Sequence, residues 1–121
     1  MFTANWSAQT FKDPPDKIEE GTTIGSNTYN VSNLSGSLLA QNVTSIAANA
    51  FKDITMLVQI KLPKDCNIHD TAFTGCENVY VFAPAGGTTE AYCYNHLNVC
   101  KFVAVNTEDE IDYHNFSGSG S

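Results

Sequence analysis

Thr23-Ile24-Gly25-Ser26-Asn27-Thr28-Tyr29 returns as Ser45-Ile46-Ala47-Ala48-Asn49-Ala50-Phe51, and again as Asn67-Ile68-His69-Asp70-Thr71-Ala72-Phe73. The step is 22 residues each time, from position 23 to 45 to 67. Each copy holds an Ile, a small or polar stretch, and then a small residue before an aromatic ring. Periods of this length build solenoids, because one coil cannot bury its apolar face alone and stacks it on the next. In-register stacking sets Phe51 over Phe73 and Ile46 over Ile68, about 4.8 Å apart, the spacing of paired strands. A solenoid is usually a surface for holding other molecules, so the period points to binding before chemistry.

Working outward, each repeat also supplies a strand. Leu57-Val58-Gln59-Ile60-Lys61-Leu62-Pro63 alternates, with Ile60 and Leu62 on one face and Lys61 outward. Val79-Tyr80-Val81-Phe82-Ala83-Pro84 fills the same slot, with its proline one residue early. Leu34 to Ala40 fills the slot upstream, with Leu38 and Leu39 as its buried pair. The expected fold is an α/β repeat: a short right-handed solenoid of about three 22-residue coils with parallel strands. A carboxy-terminal cap follows. Ala85-Gly86-Gly87-Thr88 breaks the pattern, and Thr88 or Thr89 can N-cap a helix over Glu90 to Leu97. Glu90 in the first turn favours the helix dipole, and Val99 to Val105 reads as a last strand.

The division expected is an arm or cap over 1–21, a solenoid over 22–105 with its cap at 85–105, and an acidic tail over 106–121. Asp13-Pro14-Pro15-Asp16 breaks any helix within the arm, and Phe2, Trp6 and Phe11 are candidates to cover the first coil. The tail carries Glu108-Asp109-Glu110 and ends in a linker-like Ser117-Gly118-Ser119-Gly120-Ser121.

Charge narrows the partners. The 13 acids and 6 bases give a net charge of −7. All six bases are lysines, scattered singly at 12, 17, 52, 61, 64 and 101. Nucleic-acid binding needs clustered cations, so no nucleic acid is expected. No apolar run reaches the length of a membrane span. No basic stretch and apolar run follow Met1, so no signal peptide is expected within this chain.

The run Val43 to Ile54 continuing through Leu57 to Pro63, with the next copy Ile68 through Ala72-Phe73-Thr74-Gly75-Cys76-Glu77-Asn78-Val79, resembles the BspA-type leucine-rich repeat. Ala85-Gly86-Gly87-Thr88-Thr89-Glu90-Ala91-Tyr92 is similar to that family's ending, a glycine turn followed by a helix with an early tyrosine. The likeness spans 22–105 and is closest over 43–105; in 22–42 Tyr29 replaces Phe and the leucines are displaced. It departs from the commoner leucine-rich pattern, because Pro63 rather than an asparagine begins the turn after the strand. The resemblance implies a secreted or cell-surface protein, adhesin-like, that binds a host or cell-surface protein. It carries over no binding residue.

Other chemistry finds little purchase. Cys66, His69 and Asp70 offer a thiol, a base and a carboxylate, but in one solenoid corner without a cleft. Cys93 and Cys100 could form a disulfide between helix and strand. Cys76, Cys93, His96 and Cys100 would make a loosely spaced zinc set, whereas Cys76 at a ladder position reads as a buried thiol. The acidic clusters lack calcium-loop spacing. The reading is therefore not an enzyme, with no cofactor and no metal. Asn5, Asn30, Asn33, Asn42 and Asn115 begin glycosylation sequons.

Binding is expected on exposed strand residues: Gln59, Lys61, Tyr80 and Val81. Tyr80 would be the anchor, unless it packs on the cap helix. The alternatives to protein binding are a carbohydrate module stacking sugars on Tyr80, Tyr92, Tyr94 or Trp6, and a structural spacer. Self-association through an under-capped amino-terminal sheet edge is a further expectation.

Overall fold

The computed structural model describes residues 10–105. In chain order the elements are β1 (Lys17–Ile18), β2 (Thr23–Ile24), β3 (Gly36–Leu39), β4 (Ser45–Ile46), β5 (Leu57–Lys61), β6 (Asn67–Ile68), β7 (Val79–Ala83), α1 (Thr88–Tyr94) and β8 (Cys100–Ala104). Among the described residues two parallel sheets form, a five-stranded one in the order β1-β3-β5-β7-β8 and a three-stranded one in the order β2-β4-β6. The chain alternates between them, so each coil adds one strand to each wall. This is a leucine-rich-repeat solenoid with parallel strands and a helix-plus-strand cap, longer by a coil than the sequence suggests. The extra strand is β1, which pairs with β3 and lies inside the stretch read as an arm.

The core is a set of ladders. Ile24, Ile46 and Ile68 align across the small sheet and are buried. Tyr29, Phe51 and Phe73 stack with centroids 5.7 and 5.0 Å apart and planes within 14°. Tyr92 of α1 continues the column at 6.2 Å, where the next coil would have placed its ring. On the large sheet Leu38, Ile60, Val81 and Phe102 line the interior in register.

The step is not uniform, and that corrects one expectation. Leu38 pairs with Ile60 at 22 residues, but Ile60 pairs with Val81 and Val81 with Phe102 at 21. A 22-residue step from outward Gln59 lands on Val81, whereas the true partner of Gln59 is Tyr80. Because side chains alternate along a strand, the one-residue difference reverses the face. Val81 is fully buried, not exposed.

Two backbone positions lock the corner after the aromatic. Asp53 and Gly75 occupy equivalent sites in successive coils, both with positive φ, 62° and 86°. A Cβ on Gly75 would lie 3.0 Å from the Asp53 Cα, so the coils approach too closely there for a side chain.

The cap begins earlier than expected, and neither threonine caps it. Gly87 is the N-cap residue, with no side-chain capping bond. Asp65 of the preceding coil accepts from the Thr88 amide at 2.9 Å, and Glu90 accepts from the Gly86 amide at 2.6 Å. Thr89 is buried, donating its hydroxyl to the Pro63 carbonyl and accepting from the Cys66 amide. The helix thereby supplies the hydrogen bonds that a further short strand would have supplied.

Candidate functional site

The outer face of the five-stranded sheet carries two rows. Ser37, Gln59, Tyr80 and Lys101 align in one. Ile18, Leu39, Lys61, Phe82 and Val103 align in the other. The second row is apolar except for Lys61, yet it faces away from the core. It is covered by the chain's own amino-terminal segment.

Phe11 lies on this face and is buried in a small cluster with Leu39, Phe82 and Val103. Its ring meets Phe82 edge-on, 5.4 Å between centroids at 70°, a favourable aromatic geometry. Tyr80 and Val105 pack against the same cluster. Gln59 holds the backbone on either side of Phe11. Its Oε1 accepts from the Lys12 amide at 2.9 Å, and its Nε2 donates to the Thr10 carbonyl at 2.8 Å.

A second anchor follows the prolines. The Asp16 amide donates to Ser37 Oγ at 2.8 Å, and the Asp16 carboxylate accepts from the Ser37 amide at 3.0 Å. Lys12 reaches the same carboxylate at 2.8 Å. The Lys12 ammonium, and then the Ser37 amide, hold the Asp16 carboxyl below the usual range.

Of the four residues expected to bind, Gln59 and Tyr80 do stand on the outer face, both half-buried. Lys61 also points outward but is only 3% exposed, so the expectation of an open lysine is corrected. It shares the outer row with Leu39, Phe82 and Val103, which are buried, whereas Ile18 at the row's edge is exposed. Val81 belongs to the core. Tyr80 packs on the outer cluster rather than on the cap helix. Phe11, Leu39, Phe82 and Val103 were missed as parts of this face. The readable signal was an apolar residue recurring at the outward position of successive strands, which solvent would not favour. Phe11 itself was read as a cover for the first coil, and it covers the sheet instead; Phe2 and Trp6 lie outside the described residues.

The four cysteines weighed for other chemistry lie in the packed interior. Cys66, Cys76, Cys93 and Cys100 are all buried free thiols, and no disulfide joins Cys93 to Cys100. Burial pushes the Cys66 thiol up to about 12 and the Cys76 thiol up to about 11, far from a nucleophilic thiolate. His69 Nδ1 faces the Thr71 amide and hydroxyl at 3.1 Å, within its own turn. His96 is half-buried with its ring on Tyr92 at 3.8 Å. Its Nδ1 must carry a proton, because it lies 2.8 Å from the Tyr92 carbonyl. Among the described residues no group of three or more His, Cys, Asp or Glu could hold a metal.

A family model described as BspA type leucine-rich repeat region (6 copies) matches residues 22–121. The chain belongs to this family. No curated protein and no solved structure matches the chain. BspA-type repeats form a protein-interaction module, and leucine-rich repeats are generally non-catalytic binding scaffolds. Among the described residues no helix is long and apolar enough to cross a membrane. The first coil follows the family pattern least closely, and it is there that the chain adds Glu19, which accepts from the Tyr29 hydroxyl at the end of the aromatic column. The amino-terminal edge strand β1 is two residues long.

Proposed function

We propose that this chain is a surface-displayed, adhesin-like binding module whose partner is another protein, and that the partner docks on the outer face of the five-stranded sheet around Gln59 and Tyr80. The observation that carries this reading is the apolar outer row beside a half-buried tyrosine on rigid, paired strands. Phe11 covers Leu39, Phe82 and Val103, and the half-buried Tyr80 beside them is the aromatic that this face offers to a partner. An aromatic held by a sheet loses little entropy when it anchors a partner.

The test is a paired screen of the labelled protein against arrayed extracellular proteins and arrayed glycans, repeated with Tyr80→Ala. Protein hits that weaken at least tenfold in the variant support the reading. Glycan hits alone would make the face a sugar platform, with Tyr80 or the exposed Tyr94 as the stacking ring; Tyr92 is buried under His96 and is not available. A stable monomer that binds nothing on either array would favour a structural spacer.

A further inference from the structure

We propose that the cavity at the carboxy ends of β1 and β3 is a binding site for the amino terminus of a peptide, with Gln41 pairing its first peptide group and Glu19 and Glu20 drawing in its ammonium. The site lies apart from Gln59 and Tyr80 and does not rest on the docking face proposed above.

Each strand supplies one wall. Ile18, Glu19 and Glu20 line the cavity from the end of β1, and Leu39, Gln41 and Asn42 line it from the end of β3. Its volume is about 330 Å³, within the range of small-ligand pockets. The Glu19 amide donates to the Leu39 carbonyl at 2.8 Å, and the Val43 amide closes the turn through Gln41 and Asn42 on the Ala40 carbonyl at 3.1 Å. The two walls are thereby fixed against one another.

Gln41 is the residue that points to a ligand. It is only 8% exposed. Its Oε1 and Nε2 are both shut off from solvent, and neither has a hydrogen-bond partner among the described residues. A buried amide without partners is destabilising, whereas an apolar side chain of similar shape is not. An orphan acceptor and an orphan donor on one side chain call for a group that offers both, and a peptide unit does so through its N–H and its C=O. A lone ammonium would leave Nε2 unpaired. Because the amide lies below the surface, a chain end is what brings a peptide unit to it.

The other walls fit the rest of such an end. The Glu19 carboxylate is held in place, accepting from the Tyr29 hydroxyl and from the Gly21 amide at 2.9 Å. Glu20 is exposed beside it. Lys17 turns its ammonium over the Tyr29 ring, 5.9 Å from the centroid, and no lysine lines the cavity. Two carboxylates without a cation among the lining residues favour a positively charged ligand. Ile18 and Leu39 offer an apolar wall to the first side chain. A peptide's amino terminus carries an ammonium, a peptide unit and a side chain together.

The probe is leucyl-glycinamide, titrated into the isotopically labelled full-length chain from a bacterial host, which adds no glycan at the Asn42 sequon. The backbone amides of 19–21 and 41–42 and the Gln41 side-chain amide are expected to shift saturably. Acetylating the probe's amine removes its charge, and Gln41→Leu removes the amide pair; each is expected to weaken binding at least tenfold. Glu20→Gln is expected to weaken it at least twofold. Gln41→Leu is also expected to melt no lower than the unaltered chain, because the orphan amide contributes nothing to the free protein. The proposal is overturned by the absence of any shift at about 10 mM probe, or by equal affinity for the acetylated probe. A lower melting temperature for Gln41→Leu overturns it too, since the amide would then serve the fold, through bound water. So does binding of N-acetylglucosamine, or of lysine blocked at both backbone ends, as tight as that of the dipeptide: the cavity would then read a sugar's acetamide or a side-chain ammonium. None of these outcomes bears on partner binding through Tyr80.

Discussion

The five-stranded sheet has an apolar row on each face, and the two rows are one residue apart along every strand. On the inner face Leu38, Ile60, Val81 and Phe102 meet the ladders of the small sheet. On the outer face Leu39, Phe82 and Val103 meet Phe11 of the amino-terminal segment, with Tyr80 and Val105 packed beside them. The inner row is covered by covalently continuous coils, each pinned by its neighbours. The outer row is covered by a strap held at Gln59 and, beyond the prolines, at Asp16. Burial alone does not separate the two, since both rows are closed to solvent. What separates them is what covers each one, the stacked coils of the solenoid within and the amino-terminal segment without. The inner face is a core between two walls of the solenoid, and the outer face packs against the amino-terminal segment.

The sharpest way to break this comparison is Phe51→Ala on the inner side. It removes the middle ring of the aromatic column and should cost about 3–5 kcal/mol in urea-monitored stability. A loss below about 1 kcal/mol would mean that the column does not carry the core. Gly75→Ala tests the coil-to-coil approach behind that column. The positive φ and the contact with Asp53 should cost about 1–3 kcal/mol. A neutral effect would show that the corner relaxes freely. Phe11→Ala probes the outer side and should cost less, about 1.5–3 kcal/mol, with local loosening at residues 10–12. A loss as large as that of Phe51→Ala would erase the distinction between core and cover.

Two pH effects sharpen the same contrast. The Cys66 thiol rises to about 12 and Cys76 to about 11 when folded, from an ordinary value of 9.0. Burial also raises the Tyr92 hydroxyl and, chiefly, the Tyr29 hydroxyl. Groups raised on folding stabilise fully below their unfolded values and lose that contribution as pH climbs through the folded ones. Thermal stability should therefore decline from pH 9.0 upward, as the inner face comes apart. A flat profile to pH 11 would show that the thiols are not buried. Asp16 has the opposite sign. Its carboxyl lies below the ordinary value of 3.8 when folded, so its contribution is present above that pH and fades below it. Acidification should loosen the strap near Asp16 and Ser37 before the core responds, the smallest of these effects. Amide exchange at Ser37 that does not quicken in acid before the core amides would contradict it.

Much of this was legible along the chain. The recurrence of Ile24, Ile46 and Ile68, and of Tyr29, Phe51 and Phe73, announced ladders because equivalent positions in stacked coils must be alike to pack. The cap was legible from Gly86-Gly87, since the interruption of the pattern leaves an open end. The capping partners were not. Asp65 and Pro63 reach the helix across a coil boundary, and no local pattern encodes such a meeting. The face of Val81 was misread for a narrower reason. Strand register depends on the length of each corner, and a corner shorter by one residue inverts the faces downstream.

The amino-acid sequence by itself determined the repeat, the ladders, the absence of clustered cations and membership in the BspA-type family, because each follows from residue types at a fixed spacing. Only the tertiary structure decided what lies on the outer sheet. Thr10 and Lys12 meet Gln59 across 49 and 47 residues of chain. Contacts so distant in sequence arise from the stacking that brings strand and strap together, and a period of one coil holds no record of them.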